Sequence, residues 1–155
     1  MGESRNTKLV KIEKREAFRY CEEELFSRIA EDGAPFIESS FPDSHYIGIY
    51  KDDDLIGFWI VEQVNSSTVN IHINMNAGDR VNNKYCGRDF LRFIFGFEWV
   101  NKVIAEVPII YPEVIKYCEN NGLKKEGLLK EHILKNGHFT DCYILGMTRG
   151  EYGSR

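Results

Sequence analysis

Thr68-Val69-Asn70-Ile71-His72-Ile73-Asn74-Met75-Asn76 alternates residue by residue. In an extended chain Val69, Ile71, Ile73 and Met75 fall on one side and Asn70, His72, Asn74 and Asn76 on the other, because successive β side chains point to opposite faces. The period then changes. From Asn83 to about Trp99 the apolar residues recur at helical spacing, with Cys86, Phe90, Phe93, Ile94 and Phe97 as the stripe. Val103–Val107 reads as a short buried-type strand ending at Pro108. Pro112 suits the first turn of a further helix, with Tyr111, Val114, Ile115 and Cys118 along one face. Strand, helix, strand, helix in succession asks for parallel pairing at this point, since a crossover helix returns the chain to the same end of the sheet. The fold class that follows is α/β (α+β), a mixed sheet flanked by helices.

Working outward, His45–Tyr50 and Leu55–Gln63 are two more strands, joined to each other and to Thr68–Asn76 by short polar turns at Lys51–Asp54 and Asn65–Ser67. Short turns imply an antiparallel meander. The acidic Asp52–Asp54 lacks the Gly and terminal Glu of a calcium loop and reads as a hairpin turn. Further back, Lys8–Ile12 suggests a first strand. Glu13–Ala30 suggests one helix with Phe18, Cys21, Leu25 and Ile29 inward and Glu22–Glu24 in water. Gly33, Pro35 and Pro42 break the next stretch, which has room for one short helix. Toward the C-terminus, Asn121-Gly122 stops the Pro112 helix. Leu123–Leu134 and Phe139–Thr148 then form a hairpin around Asn136-Gly137, the strongest short turn signal in the chain.

The 155 residues, 18.0 kDa, suit one domain over 1–155 with one core. Twenty Lys and Arg against 24 Asp and Glu give a net charge of -4, which disfavours a nucleic-acid coat. No stretch approaches the roughly 20 apolar residues of a membrane span. The first residues carry no export-type apolar run, so the mature chain is expected to begin near Met1 and to be cytoplasmic, in a bacterium or a phage-infected host. Asn65-Ser66-Ser67 fits a glycosylation pattern that has no meaning without export. Cys21, Cys86, Cys118 and Cys142 are too scattered for a metal or redox pair and are expected as reduced, mostly buried thiols.

Two features suggest chemistry. A strand face of one His and three Asn looks into a wet groove, where His72 could serve as a general base; an edge strand with one solvated face gives the same pattern. Arg80, Lys84, Arg88 and Arg92 recur every four residues around a helix start. Cations there oppose the helix dipole unless an anion such as phosphate sits among them. A solvated face balanced by Asp79 and Asp89 is the alternative.

From about His45 to Tyr152 the order of elements and several strings resemble the GCN5-related N-acetyltransferases (GNAT). Asn82-Asn83-Lys84-Tyr85-Cys86-Gly87-Arg88 sits where that family has its R-x-x-G-x-G phosphate loop. Lys102-Val103-Ile104-Ala105-Glu106-Val107-Pro108 resembles the strand that follows. Glu119-Asn120-Asn121-Gly122-Leu123-Lys124-Lys125-Glu126-Gly127 and Lys135-Asn136-Gly137-His138-Phe139-Thr140-Asp141 are similar to the ribosomal-protein branch. The resemblance implies a mostly antiparallel mixed sheet, acetyl-CoA as co-substrate, and direct transfer of its acetyl group to an amine on a protein or small molecule. It assigns the cofactor to Ile73 and Met75 of the pantetheine strand and to Asn82, Asn83, Lys84, Tyr85, Cys86, Gly87 and Arg88 of the loop. It makes His72 the base. The Tyr that protonates the departing thiolate aligns with Cys118, with Tyr117 one residue away.

The chain departs from the family at those positions. Asn82 replaces the loop Arg, Tyr85 replaces the first Gly, and only Gly87 matches. Tyr111 and Val114 replace the usual Asn and small polar residue at the later helix. Tyr85-Cys86-Gly87, Tyr111-Pro112-Glu113-Val114-Ile115 and Gly146-Met147-Thr148-Arg149 also resemble a group of tailed-phage proteins of this fold, some described as head-assembly accessory proteins. The alternative to an enzyme is therefore a catalytically degenerate domain that binds a protein partner during phage assembly or host interaction. A third possibility is a regulator that binds acetyl-CoA without turnover. Oligomeric state is not readable from the sequence.

Overall fold

Asn136 and Gly137 both take positive φ, 53° and 79°, as a two-residue type I′ hairpin requires. They join β6 (Lys124–Lys135) to β7 (His138–Thr148) in a computed structural model that describes residues 7–154. The other strands are β1 (Thr7–Ile12), β2 (His45–Lys51), β3 (Asp54–Gln63), β4 (Thr68–Asn74) and β5 (Lys102–Pro108), and the seven lie in the order β1-β2-β3-β4-β5-β7-β6. β1–β2, β2–β3, β5–β7 and β6–β7 are antiparallel, and β4–β5 is parallel, as the strand-helix-strand run requires. The result is a mixed, mostly antiparallel sheet with helices. The described residues divide into two compact units, one of residues 7–61 and 73–84, the other of 62–72 and 85–154.

In the first unit, β1, β2 and β3 pack Ile12, Tyr46, Phe58 and Ile60 against Ala17, Cys21, Leu25 and Phe26. Phe26 stacks on Phe36 and Phe41 at 4.9 and 5.8 Å, and Phe41 on Phe58 at 6.3 Å. The predicted helix over Glu13–Ala30 is two helices, α1 (Lys14–Tyr20) and α2 (Glu23–Ile29). Asn76 makes the break. Its Oδ1 accepts from Glu22 N–H at 2.8 Å and its Nδ2 donates to Tyr20 C=O at 2.7 Å, replacing bonds that a continuous helix would make internally.

Within the same unit, Ala77–Tyr85 opens a nine-residue 3₁₀ segment where an α-helix was expected from Asn83; all but Tyr85 belong to this unit. Runs longer than three or four residues are uncommon for this geometry and need outside support. Asn76 N–H donates to Tyr20 Oη at 2.8 Å, and that hydroxyl lies 2.7 Å from Asp79 Oδ2 and 2.8 Å from Ile56 C=O. Arg80 donates to Met75 C=O and to Glu24 at 3.2 and 2.7 Å.

In the second unit, α3 (Cys86–Phe95) buries Cys86, Phe90, Leu91, Ile94 and Phe95. It stops four residues short of the predicted Trp99, and Phe97, expected on the buried stripe, is 44% exposed. Arg149 explains the stop. Its guanidinium donates to the carbonyl of Phe95, the last residue of α3, at 3.0 Å, and to those of Phe97 and Val100 in the turn beyond at 2.8 and 2.7 Å. Arg149 opens α5 (Arg149–Gly153), which the sequence reading missed although Thr148 and Glu151 form a capping box. α4 (Pro112–Asn120) ends at Gly122, where φ is 98°.

Candidate functional site

The parallel ladder between β4 and β5 is only three residues long, from Thr68↔Lys102 to Asn70↔Ile104. Beyond it β5 continues along β7 to Pro108↔Cys142, so the edge of β5 that faced β4 is released from that ladder. Alternation places Asn70, His72, Ile104 and Glu106 on one face, with Val69, Ile71, Val103, Ala105 and Val107 buried on the other. His72 and Glu106 each stand two residues past the last paired position, one on each limb of the fork. Both are half-buried.

Of the polar face expected to look into a wet groove, only Asn70 and His72 remain partly exposed. Asn74 is fully buried and donates to Phe58 C=O at 3.2 Å, and Asn76 is spent on the α1–α2 break. Met75 is buried in the first unit, where Gly57 has no side chain because a Cβ would lie 2.7 Å from Met75 Cγ. Ile73 is half-buried. Asn82 accepts from Lys51 Nζ at 3.2 Å, Asn83 is half-buried, and Lys84 is exposed.

The start of α3 lies in the second unit with α4. Gly87 N–H, in the first helical turn, donates to Tyr117 Oη at 2.8 Å. A Cβ at Gly87 would lie 2.6 Å from the Asn121 side chain, whose Nδ2 in turn donates to Tyr117 C=O at 2.9 Å. Close approach of α3 and α4 therefore accounts for this glycine without any phosphate. Tyr85, in place of the expected loop Gly, puts its ring 4.8 Å from the Arg88 guanidinium carbon. Arg88 Nε and Nη2 are buried without a hydrogen-bond partner among the described residues. Buried cationic donors in that condition are costly, and an anion with several acceptor oxygens would satisfy them. The loop fits a phosphate through Arg88; the Gly87 amide is already occupied.

Burial pushes the Tyr117 phenol well above its ordinary value, so it holds its proton at neutral pH. Burial likewise pushes the thiols of Cys86 and Cys118 up to about 11. The Gly87 amide that donates to the Tyr117 oxygen favours the anion, but burial outweighs that contact. Cys118 is half-buried. The sequence reading passed over a further pair, His132 Nε2 and Glu106 Oε1, 2.9 Å apart. No spacing rule reveals it, since the residues sit on strands separated by β7.

Among the described residues no cluster of three His, Cys, Asp or Glu is placed to hold a metal ion, and no helix is long and apolar enough to cross a membrane. The fold is shared with solved acetyltransferases. A spermidine N-acetyltransferase from Vibrio cholerae in complex with CoA and spermine superposes with a TM-score of 0.79 at 16% identity, over 96% of this chain and 99% of that one. A dodecameric form of the spermidine N-acetyltransferase from the same organism gives 0.75 at 15% identity, over 96% and 97%. No curated protein matches the sequence. Residues 27–154 match the profile of the family described as "Protein of unknown function (DUF2824)", and the chain belongs to that family.

Proposed function

We propose that the chain is an acetyl-CoA-dependent N-acetyltransferase acting in the cytoplasm as one domain of GNAT type. The carrying observation is the β4–β5 fork in the same unit as an α3 start that carries Arg88's unsatisfied buried nitrogens. Acetyl-CoA supplies an activated thioester. Arg88 would hold a phosphate of it, and the strand edge released at the fork would pair with the amides of its pantetheine arm. The acceptor amine would attack the thioester carbonyl from the polar face, where His72 is the base candidate on the β4 limb. As the C–N bond forms and the C–S bond breaks, Tyr117 is the candidate to protonate the leaving sulfur, with Cys118 the neighbouring alternative. The spermine bound by the Vibrio enzyme makes polyamines the first amines to try.

One observation favours a second reading. Tyr117 Oη and the Asn121 side chain occupy the space around Gly87 that a phosphate would enter in the family's loop. A domain sealed in this way would act by binding a protein partner, in a phage-assembly or host-interaction role. Calorimetry with acetyl-CoA and CoA separates the two. A ligand that binds only the native state raises apparent stability, by about 2.7 kcal/mol at a hundredfold excess over its dissociation constant. Binding that Arg88→Glu abolishes supports the enzyme. Absence of any heat or thermal shift at millimolar acetyl-CoA sinks it.

A further inference from the structure

His132 lies on β6 and Glu106 on β5, with β7 between them. Strands two apart in a sheet are separated by about 9.5 Å, so the two side chains must lean across β7 to meet at 2.9 Å. A distortion of β6 accompanies that meeting. The β6–β7 register runs from Leu129↔Cys142 directly to Ile133↔Thr140, so Lys130, Glu131 and His132 together stand opposite Asp141. Glu131 adopts φ 47°, in the left-handed region, and its N–H donates to Asp141 Oδ1 at 2.8 Å. A half-exposed ion pair adds little stability and does not offset the cost of a left-handed non-glycine residue. Bulges of this kind re-aim side chains and are over-represented beside active sites.

The side chain re-aimed here is an imidazole, and its partner is Glu106, on the β5 limb of the fork two residues past the last β4–β5 pair. A carboxylate facing Nε2 accepts the Nε2–H bond and so leaves the lone pair on Nδ1. We propose that His132 is the proton acceptor for the acceptor amine and Glu106 the residue that positions it. This rests on the acetyltransferase reading above, with His132 taking the role given there to His72. The ammonium passes one proton to His132 Nδ1, and the freed lone pair attacks the thioester carbonyl carbon. The C–N bond forms, the C–S bond breaks, and its electron pair leaves on sulfur, which takes up a proton. The amide nitrogen sheds its second proton; overall one proton goes to sulfur and one to solvent.

The test combines two readouts on the full chain. The first is the ¹⁵N spectrum of the imidazoles, which needs no amine. His132 is expected as the Nε2–H tautomer, and Glu106→Gln is expected to remove that preference. An Nδ1–H tautomer in the unsubstituted chain overturns the proposal. The second is thiol release from acetyl-CoA with spermidine as the amine, for the unsubstituted chain, His132→Gln and His72→Gln, with acetyl-CoA affinity measured on each. His132→Gln is expected to lower kcat at least a hundredfold while leaving that affinity unchanged. Equal release from the unsubstituted chain and His132→Gln, or loss only in His72→Gln, overturns the assignment and leaves the transferase reading standing. No release from the unsubstituted chain overturns the assignment, and failure to bind acetyl-CoA overturns the reading beneath it as well.

Discussion

Gly87→Ala is the substitution that decides what the surviving loop glycine is for. Alanine is a better helix former than glycine by about 0.8–1.0 kcal/mol, an upper limit in a first turn. Against this, the new Cβ would stand 2.6 Å from the Asn121 side chain, closer than real Cβ contacts come. Overpacking of that kind costs about 1–3 kcal/mol. Moving Asn121 aside also loses its bond to Tyr117 C=O, 2.9 Å in the native chain, worth about 1 kcal/mol. Gly87→Ala should therefore destabilise the chain by about 1–3 kcal/mol. In an Asn121→Ala background the obstacle is gone, and the same change should be neutral or stabilising by up to about 1 kcal/mol. The coupling between the sites comes to about 2 kcal/mol, within the range for residues in contact.

The assay is urea unfolding of the four proteins, with m compared so that a shift of midpoint reads as stability. Thermal midpoints should follow at about 2–4 °C per kcal/mol. If Gly87→Ala is harmless alone, or equally harmful in both backgrounds, the packing account fails. If it is harmless to stability but lowers acetyl-CoA affinity in both backgrounds, the glycine serves a phosphate instead.

Arg149→Met leaves the carbonyls of Phe95, Phe97 and Val100 without their charged donor; a loss of about 2–4 kcal/mol in urea unfolding is expected, with hydrogen exchange quickening first in the last turn of α3. Glu24 is opposed in its charged form by partial burial, yet hydrogen bonds and charge from Arg80 and Arg28 outweigh this and hold its carboxyl below the usual range. A group depressed in the folded state adds stability above its unfolded value that fades as pH falls through the folded one; Glu24→Gln should flatten the decline of stability between about pH 5 and pH 3. Cys86, Cys118 and Cys142 are raised to about 11 and Cys21 to about 12, each first by burial. Iodoacetamide should therefore label them slowly at pH 7 in the native chain and rapidly once it is unfolded; fast native labelling would show an open, acidic thiol.

The strands were legible because their signals are local. Alternation from Thr68 onward, the Asn136-Gly137 turn and the Gly122 stop each depend on a few adjacent residues and fall where predicted. Most errors involve a partner remote in sequence; α5 is the exception, missed although its Thr148–Glu151 capping box is local. One helix became two because Asn76, more than fifty residues away, takes backbone groups at Tyr20 and Glu22. α3 ended early where Arg149 binds the carbonyl of its last residue, Phe95. The Asn face of β4 was read as wetter than it is, since alternation cannot tell an amide in water from one bonded to a buried carbonyl such as that of Phe58. At the candidate site, Gly87, Arg88 and Tyr117 were visible as residue types, but that Tyr117 would sit on the Gly87 amide was not. Glu106 and His132 are brought together by a bulge that no composition rule announces.

Arg149 also bears on when the second unit can form. Its sheet runs β4-β5-β7-β6, so β5 gains its antiparallel neighbour only from one of the last strands made, and α3 receives its terminal cap later still. During synthesis α3 and β5 must wait, apolar faces exposed, until residues up to Arg149 have emerged. The antiparallel β1–β2–β3 group, with α1 and α2, has all its members by Gln63. Emergence thus has an order built into it, and the half of the chain that carries the fork is the half whose apolar faces stay uncovered for longest during synthesis.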